Sequence, residues 1–189
     1  MESGGRAPAP GDLALVQEFV NTNDLEAESD EVATPDLLHS WLVDHGLLRS
    51  DEPVADGEQR QALEMREALR ALLLANNDGA PIDDAVEVLN RTASEVRLGV
   101  HFQPDGGAHL YPGTSGVGGA LGRLLAIVFS AMADGTWPRL KACRKESCQW
   151  AFYDHSKNRS GTWCSMAVCG NRVKTQTYRK RKRESSREA

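Results

Sequence analysis

Four cysteines fall in one stretch as two C-x4-C pairs, Cys143/Cys148 and Cys164/Cys169, and the chain holds no others. Paired thiolates on tight loops let two sulfurs converge with little strain, and four of them complete the tetrahedral shell that Zn²⁺ prefers. The N-terminal MESGGRAPAP lacks an apolar segment after its charges, so a secretory signal is not expected. In a reducing cytoplasm, clustered cysteines read as metal ligands rather than disulfides. His155 lies between the pairs and could replace one sulfur, but four sulfurs already fill the shell. Such a shell leaves no position for a reacting water, so the expected role is structural. With no glycine-rich phosphate loop, nucleophile elbow or Cys/His dyad in view, the chain does not read as an enzyme. Oxidation of zinc thiolates makes a redox sensor the alternative use.

Charge divides at the same place. Residues 1–138 hold eight arginines, no lysine and 23 acidic residues, a net −15. Residues 139–183 hold 13 Lys+Arg against Glu146 and Asp154, a net +11. Such asymmetry suggests an acidic body joined to a basic, nucleic-acid-binding appendix, although the body could simply neutralise that appendix. The segment after Cys169 reads as a basic helix. Arg172, Arg179 and Arg183 fall near one face, with Thr175 and Gln176 between them. Met166, Val173 and Thr177 are expected to face the metal core. Lys174, Lys180 and Lys182 add phosphate-binding charge, while Asn171, Gln176 and Tyr178 offer groups for base edges.

The elements that must position these ligands follow from periodicity and punctuation. Between the pairs, β-prone Gln149–Tyr153 and Gly161–Trp163 flank the turn-rich DHSKNRS. This predicts a knuckle, a short hairpin, then a helix whose first turn supplies Cys164 and Cys169, a treble-clef-like finger. Arg144 and Lys145 would offset the excess negative charge of four thiolates.

Upstream, residues 1–11 read as a disordered leader. Leu13, Val16, Phe19 and Val20 give one helical stripe, with Asp12 as its cap, and NDLEAESDEVA reads as a loop. Thr34-Pro35 opens a second helix with Leu37, Leu38, Trp41 and Leu42 buried, closed by Gly46. Asp56 is expected to cap a long third helix, and Pro81 opens a fourth. Alternation from Val96 to Phe102, then Pro104–Gly107, then Ala108–Tyr111 predicts a β-hairpin near 96–111. An apolar helix over 118–134 is expected at the centre of the core. Its apolar run from Leu121 to Ala133 is interrupted by Arg123 and too short to span a membrane. The expected class is mainly α with a small β-hairpin (α+β), a helical domain over 12–138, a finger over 139–183 and a disordered tail over 184–189.

Trp163-Cys164-Ser165-Met166 followed by Cys169-Gly170-Asn171-Arg172 and Lys174 resembles the CGNR zinc-finger family of bacterial proteins. Leu140-x-x-Cys143, Cys148-x-Trp150 and Phe152-Tyr153-Asp154-x-Ser156 match that finger too. LALVQEFVNT, DLLHSWLVDHGLL and EMREALRALL resemble the helical domain that precedes it, which the family names for stress-induced transcription regulation. The resemblance runs from about Asp12 to Arg183. It implies that Cys143, Cys148, Cys164 and Cys169 hold one structural zinc and that the basic helix contacts DNA.

A cytoplasmic, nucleoid-associated DNA-binding regulator is the expectation, with RNA binding or protein docking by the finger as alternatives. The helical domain could take a small effector near Phe19, Trp41 or His45, or a protein partner. Its acidic face could also shield the basic helix.

Overall fold

The computed structural model describes residues 7–79, 81–173 and 175. Among the described residues, five α-helices and three two-stranded antiparallel sheets follow in the order α1 (Leu13–Asn21), β1 (Asn23–Asp24), β2 (Ser29–Asp30), α2 (Pro35–Asp44), α3 (Asp56–Asp78), α4 (Asp83–Glu95), β3 (Gly99–Phe102), β4 (Ala108–Tyr111), α5 (Gly116–Ala133), β5 (Leu140–Ala142) and β6 (Ala151–Tyr153). A short helix, Met166–Gly170, follows β6. The mainly helical class with small strand pairs matches the expectation.

The core gathers the apolar stripes of the helices: Val16 and Phe19 of α1, Leu38 and Leu42 of α2, Met65, Leu69 and Leu73 of α3, and Leu121 and Leu124 of α5 are all buried. α5 starts at Gly116 and so reaches 18 residues with mean hydropathy 1.6, long and apolar enough to cross a membrane by length and composition. The expected apolar run, Leu121–Ala133, is the C-terminal part of this longer helix. In the fold it packs against α1, α4 and β4.

The end signals divide. Thr34 caps α2, its hydroxyl accepting from the Leu37 amide at 3.3 Å, and Gly46 takes φ 65° after the helix. Asp12 makes no side-chain cap, and Asp56 is the first residue of α3 rather than its cap. The Glu58 carboxylate instead accepts from the Ala55 amide at 2.9 Å. Leu37 was expected inside and is exposed. The expected leader is placed from Ala7 on, with Ala9 buried and its amide donating to Gln17 Oε1 at 2.7 Å.

The β3–β4 hairpin is shorter than expected, because Val96 and Leu98 fall outside its strands and Val96 is buried beneath α5. NDLEAESDEVA, expected as a loop, contains the two-residue ladder Asn23↔Asp30, Asp24↔Ser29.

Candidate metal centre and the face beside it

β5 and β6 pair in the register Leu140↔Tyr153, Lys141↔Phe152 and Ala142↔Ala151, and the Cys143–Cys148 knuckle is the turn between them. The expected pairing of 149–153 with 161–163 is thus replaced by a hairpin that opens before the first cysteine. Leu140 and Ala142 alternate with Lys141, and in the facing strand Ala151 alternates with Phe152. The small and branched residues enter the helical core, while Phe152 joins the four cysteines, Trp150 and Trp163 in a second cluster. Period two thus makes the hairpin a wall with the main core on one side and the metal centre on the other.

Cys164 precedes the short helix. Ser165 caps that helix by accepting from the Val168 amide, and Cys169 lies within its first turn. The expectation that the first turn carries both ligands is corrected for Cys164.

All four Sγ atoms lie within 4.8 Å of one another, and all four cysteines are buried. Cys148–Cys164 and Cys164–Cys169 are each separated by 3.7 Å. A tetrahedron with Zn–S of about 2.3 Å has edges of about 3.8 Å, so the donor set fits one zinc ion. It does not fit disulfides, whose sulfurs lie about 2.05 Å apart.

Crowding four sulfurs around one point also displaces their titration in opposite directions. Hydrogen bonds from the Cys148 and Cys164 thiols, and from the Cys164 and Lys145 amides, pull the Cys143 thiol down to about 2. The adjacent Cys143 and Cys148 sulfurs push Cys164 far up, and burial beside the other sulfurs pushes Cys169 up to about 12. A divalent cation held by Cys143, Cys148, Cys164 and Cys169 would supply the charge that lets all four ionise.

His155 stays outside the quartet, exposed and edge-on to Tyr153 with ring centroids 4.9 Å apart. Phe19 and Trp41 pack together with centroids 5.4 Å apart, and His45 stacks on Trp41 at 4.0 Å. These aromatics therefore serve the core first, although Trp41 and His45 also edge an open cleft that Trp150 of the finger completes.

Two family models match the chain in sequence order. The CGNR zinc finger matches residues 139–182. The ABATE family, described as "Putative stress-induced transcription regulator", matches residues 13–135, well over half of the chain. The chain belongs to the ABATE family. No curated protein matches it. The four sulfurs are accordingly the seat of one structural zinc in a CGNR finger that follows the ABATE domain.

The ABATE domain grips that finger through side chains that contact its backbone. Asn21 of α1 accepts from the Ala151 amide at 2.7 Å and donates to the Ala151 carbonyl at 2.9 Å, as a neighbouring strand would. Gln17 donates to the same carbonyl. At the C-terminal end of α3, Asn76 donates to the Trp137 and Leu140 carbonyls, and Asn77 to those of Ala142 and Thr162. Arg70, only 2 % exposed, donates to the Val20, Asn23 and Gln149 carbonyls and to Glu67. Its neighbour Arg66 clasps Asp30 in a bidentate pair at 2.7 and 2.8 Å. Helical spacing alone gave no sign that the two arginines of EMREALR would be buried.

A second buried node lies within the finger. Lys141 Nζ donates to Asp154 Oδ2 at 2.9 Å, to the Arg159 carbonyl at 2.6 Å and to the Gly161 carbonyl at 3.1 Å, which uses all three of its protons. Asp154 also accepts from the amides of Ser156 and Gly161. Burial raises its pKa, but the hydrogen bonds from Ser156, Lys141 and Gly161 outweigh that and hold it well below the usual carboxylate range. Gly161 is required here, because a Cβ would lie 2.8 Å from the Asp154 carboxyl carbon. The node folds the 154–161 loop back so that Cys164 can meet the knuckle.

Of the expected nucleic-acid contacts, Asn171 and Arg172 are exposed at the start of the segment after Cys169. Lys174, Gln176, Tyr178, Arg179, Lys180, Lys182 and Arg183 lie outside the described residues, as does Thr177. Met166, expected against the metal core, is 53 % exposed. Lys145 Nζ meets Glu26 Oε1 at 2.9 Å, and the Arg172 guanidinium meets the same oxygen. That contact between the acidic turn of the ABATE domain and two finger cations is invisible in the sequence.

Proposed function

We propose that the chain is a non-enzymatic, DNA-binding transcriptional regulator of the cytoplasm, associated with the nucleoid. In this reading the CGNR finger contacts DNA, and the ABATE domain senses an effector or binds a partner. The observation that carries the reading is the charge partition about the metal centre. A net +11 is gathered in residues 139–183, against −15 in residues 1–138, and the cysteines anchor the start of the basic segment. Phosphate contacts by such cations release counterions, so affinity should fall steeply with salt. Asn171, Arg172 and Gln176 are the side chains offered for base edges.

Fluorescence anisotropy with duplex DNA across a salt series tests the reading, with one zinc per chain verified beforehand. Binding whose logarithm falls linearly with log[salt] is expected. Absence of salt-dependent binding by the zinc-loaded protein would overturn it. Stronger competition by structured RNA would redirect it to RNA.

A further inference from the structure

Glu26 sits on the acidic turn between β1 and β2, and one of its oxygens is shared by two cations, Lys145 Nζ at 2.9 Å and the Arg172 guanidinium. The cations come from opposite halves of the finger. Lys145 lies inside the Cys143–Cys148 knuckle, and Arg172 follows Cys169 by three residues. Closure of the four sulfurs around one centre therefore sets the distance between the cations. Two cations converging on a single oxygen is also how a phosphodiester oxygen is held.

Docking the finger does not require this contact. The Asn21, Gln17, Arg70, Asn76 and Asn77 bonds already fix the hairpin to the helices. Partly exposed ion pairs add little to that. The side chains of Arg172, Glu26 and Lys145 are 56 %, 35 % and 13 % exposed, so an incoming anion reaches the site from the Arg172 side as Glu26 leaves it. Asp30 at the base of the turn stays clasped by Arg66, so displacing Glu26 need move only the tip.

We propose that Lys145 and Arg172 form a seat for a nucleic-acid backbone phosphate, and that Glu26 fills it in the free protein as an intramolecular competitor. The inference rests on the DNA-binding reading and adds a site and a brake to it.

The test uses full-length, zinc-loaded protein. Glu26→Gln should tighten binding to duplex DNA about fivefold to tenfold, the scale of two partly exposed ion pairs removed from competition. It should also steepen the salt slope by about one to two. Glu28→Gln makes the same charge change on the same turn and should shift affinity less than about twofold. Adding Lys145→Gln and Arg172→Gln should erase the Glu26→Gln gain. Calorimetric titration with tripolyphosphate runs in parallel, and there too Glu26→Gln should bind more tightly than wild type. Equal DNA affinity and salt slope for wild type and Glu26→Gln overturns the seat while leaving DNA binding standing. A tripolyphosphate difference without DNA binding by any variant overturns the DNA reading and, with it, the nucleic-acid occupant of the seat, leaving only an anion site that Glu26 blocks. No difference with either probe overturns the seat. Zinc content and melting temperature of each variant exclude misfolding, and Glu26→Ala serves as a second variant.

Discussion

Replacing Lys141 with methionine removes an ammonium of similar length while leaving Asp154 ionised and 4 % exposed. Three interactions vanish: the ion pair to Asp154 and the donations to the Arg159 and Gly161 carbonyls. Breaking a buried pair by removing one partner costs about 3–5 kcal/mol, chiefly because the remaining charge is uncompensated. Asp154 keeps the Ser156 and Gly161 amides, so the lower half of that range is expected, with a fall in melting temperature of about 6–16 °C for a chain of this size. Lys141→Met/Asp154→Leu should recover part of the loss, since no buried charge remains, but the two amides then lack their acceptor. Urea melts of the four proteins of this cycle at pH 7, with zinc retained, give the coupling directly. pH supplies an independent check. The native pKa of Asp154 is depressed below the unfolded value of about 3.9, so its contribution is complete above that pH. The contribution is lost as pH falls through the native value. The penalty of Lys141→Met should therefore be constant from pH 7 to about 5 and shrink below about 4. A cost under about 1 kcal/mol, or a penalty unchanged at pH 3, would refute the assignment of this pair as a buried, ionised node.

Two further outcomes follow from the shared wall. Cys164→Ser should abolish stoichiometric zinc binding and expose Trp150 and Trp163, read as a red shift in tryptophan emission, because both pack against the cysteine cluster. Far-UV helical signal should persist, since the helical core contains no cysteine, and its collapse in Cys164→Ser would contradict the separation of the two clusters. Arg70→Met should cost about 2–4 kcal/mol in chemical denaturation, because the buried Val20 carbonyl and the Asn23 and Gln149 carbonyls lose their donor. An effect within 0.5 kcal/mol, the range typical of surface positions, would contradict its burial.

The β5–β6 hairpin is why the finger and the helical domain cannot be treated as beads on a string. Leu140, Ala142 and Ala151 belong to the main core, whereas Phe152, one residue along, belongs to the metal cluster. A ligand that moved α1 or the end of α3 would act on Asn21, Asn76 or Asn77, whose bonds end on the hairpin backbone. The physical route from those helices to the finger would thus be short.

Sequence alone determined the metal chemistry, the family and most of the helices. The reason is local in each case. Cysteine spacing fixes which sulfurs can converge, a Thr-Pro pair marks a helix start, and apolar residues at helical period mark a buried face. Net charge adds linearly along the chain, so the acidic and basic halves were equally plain. Tertiary structure alone decided which strands flank the knuckle, because QWAFY is β-prone whichever partner it takes. It also decided that Arg66, Arg70, Lys141 and Asp154 are interior. A charged side chain reads as surface until its partners, up to 79 residues away for Arg70 and Gln149, are folded against it. The meeting of Glu26 with Lys145 and Arg172 spans 119 and 146 residues. Charge composition predicted attraction between the halves, but only the fold selects which carboxylate lies between which two cations.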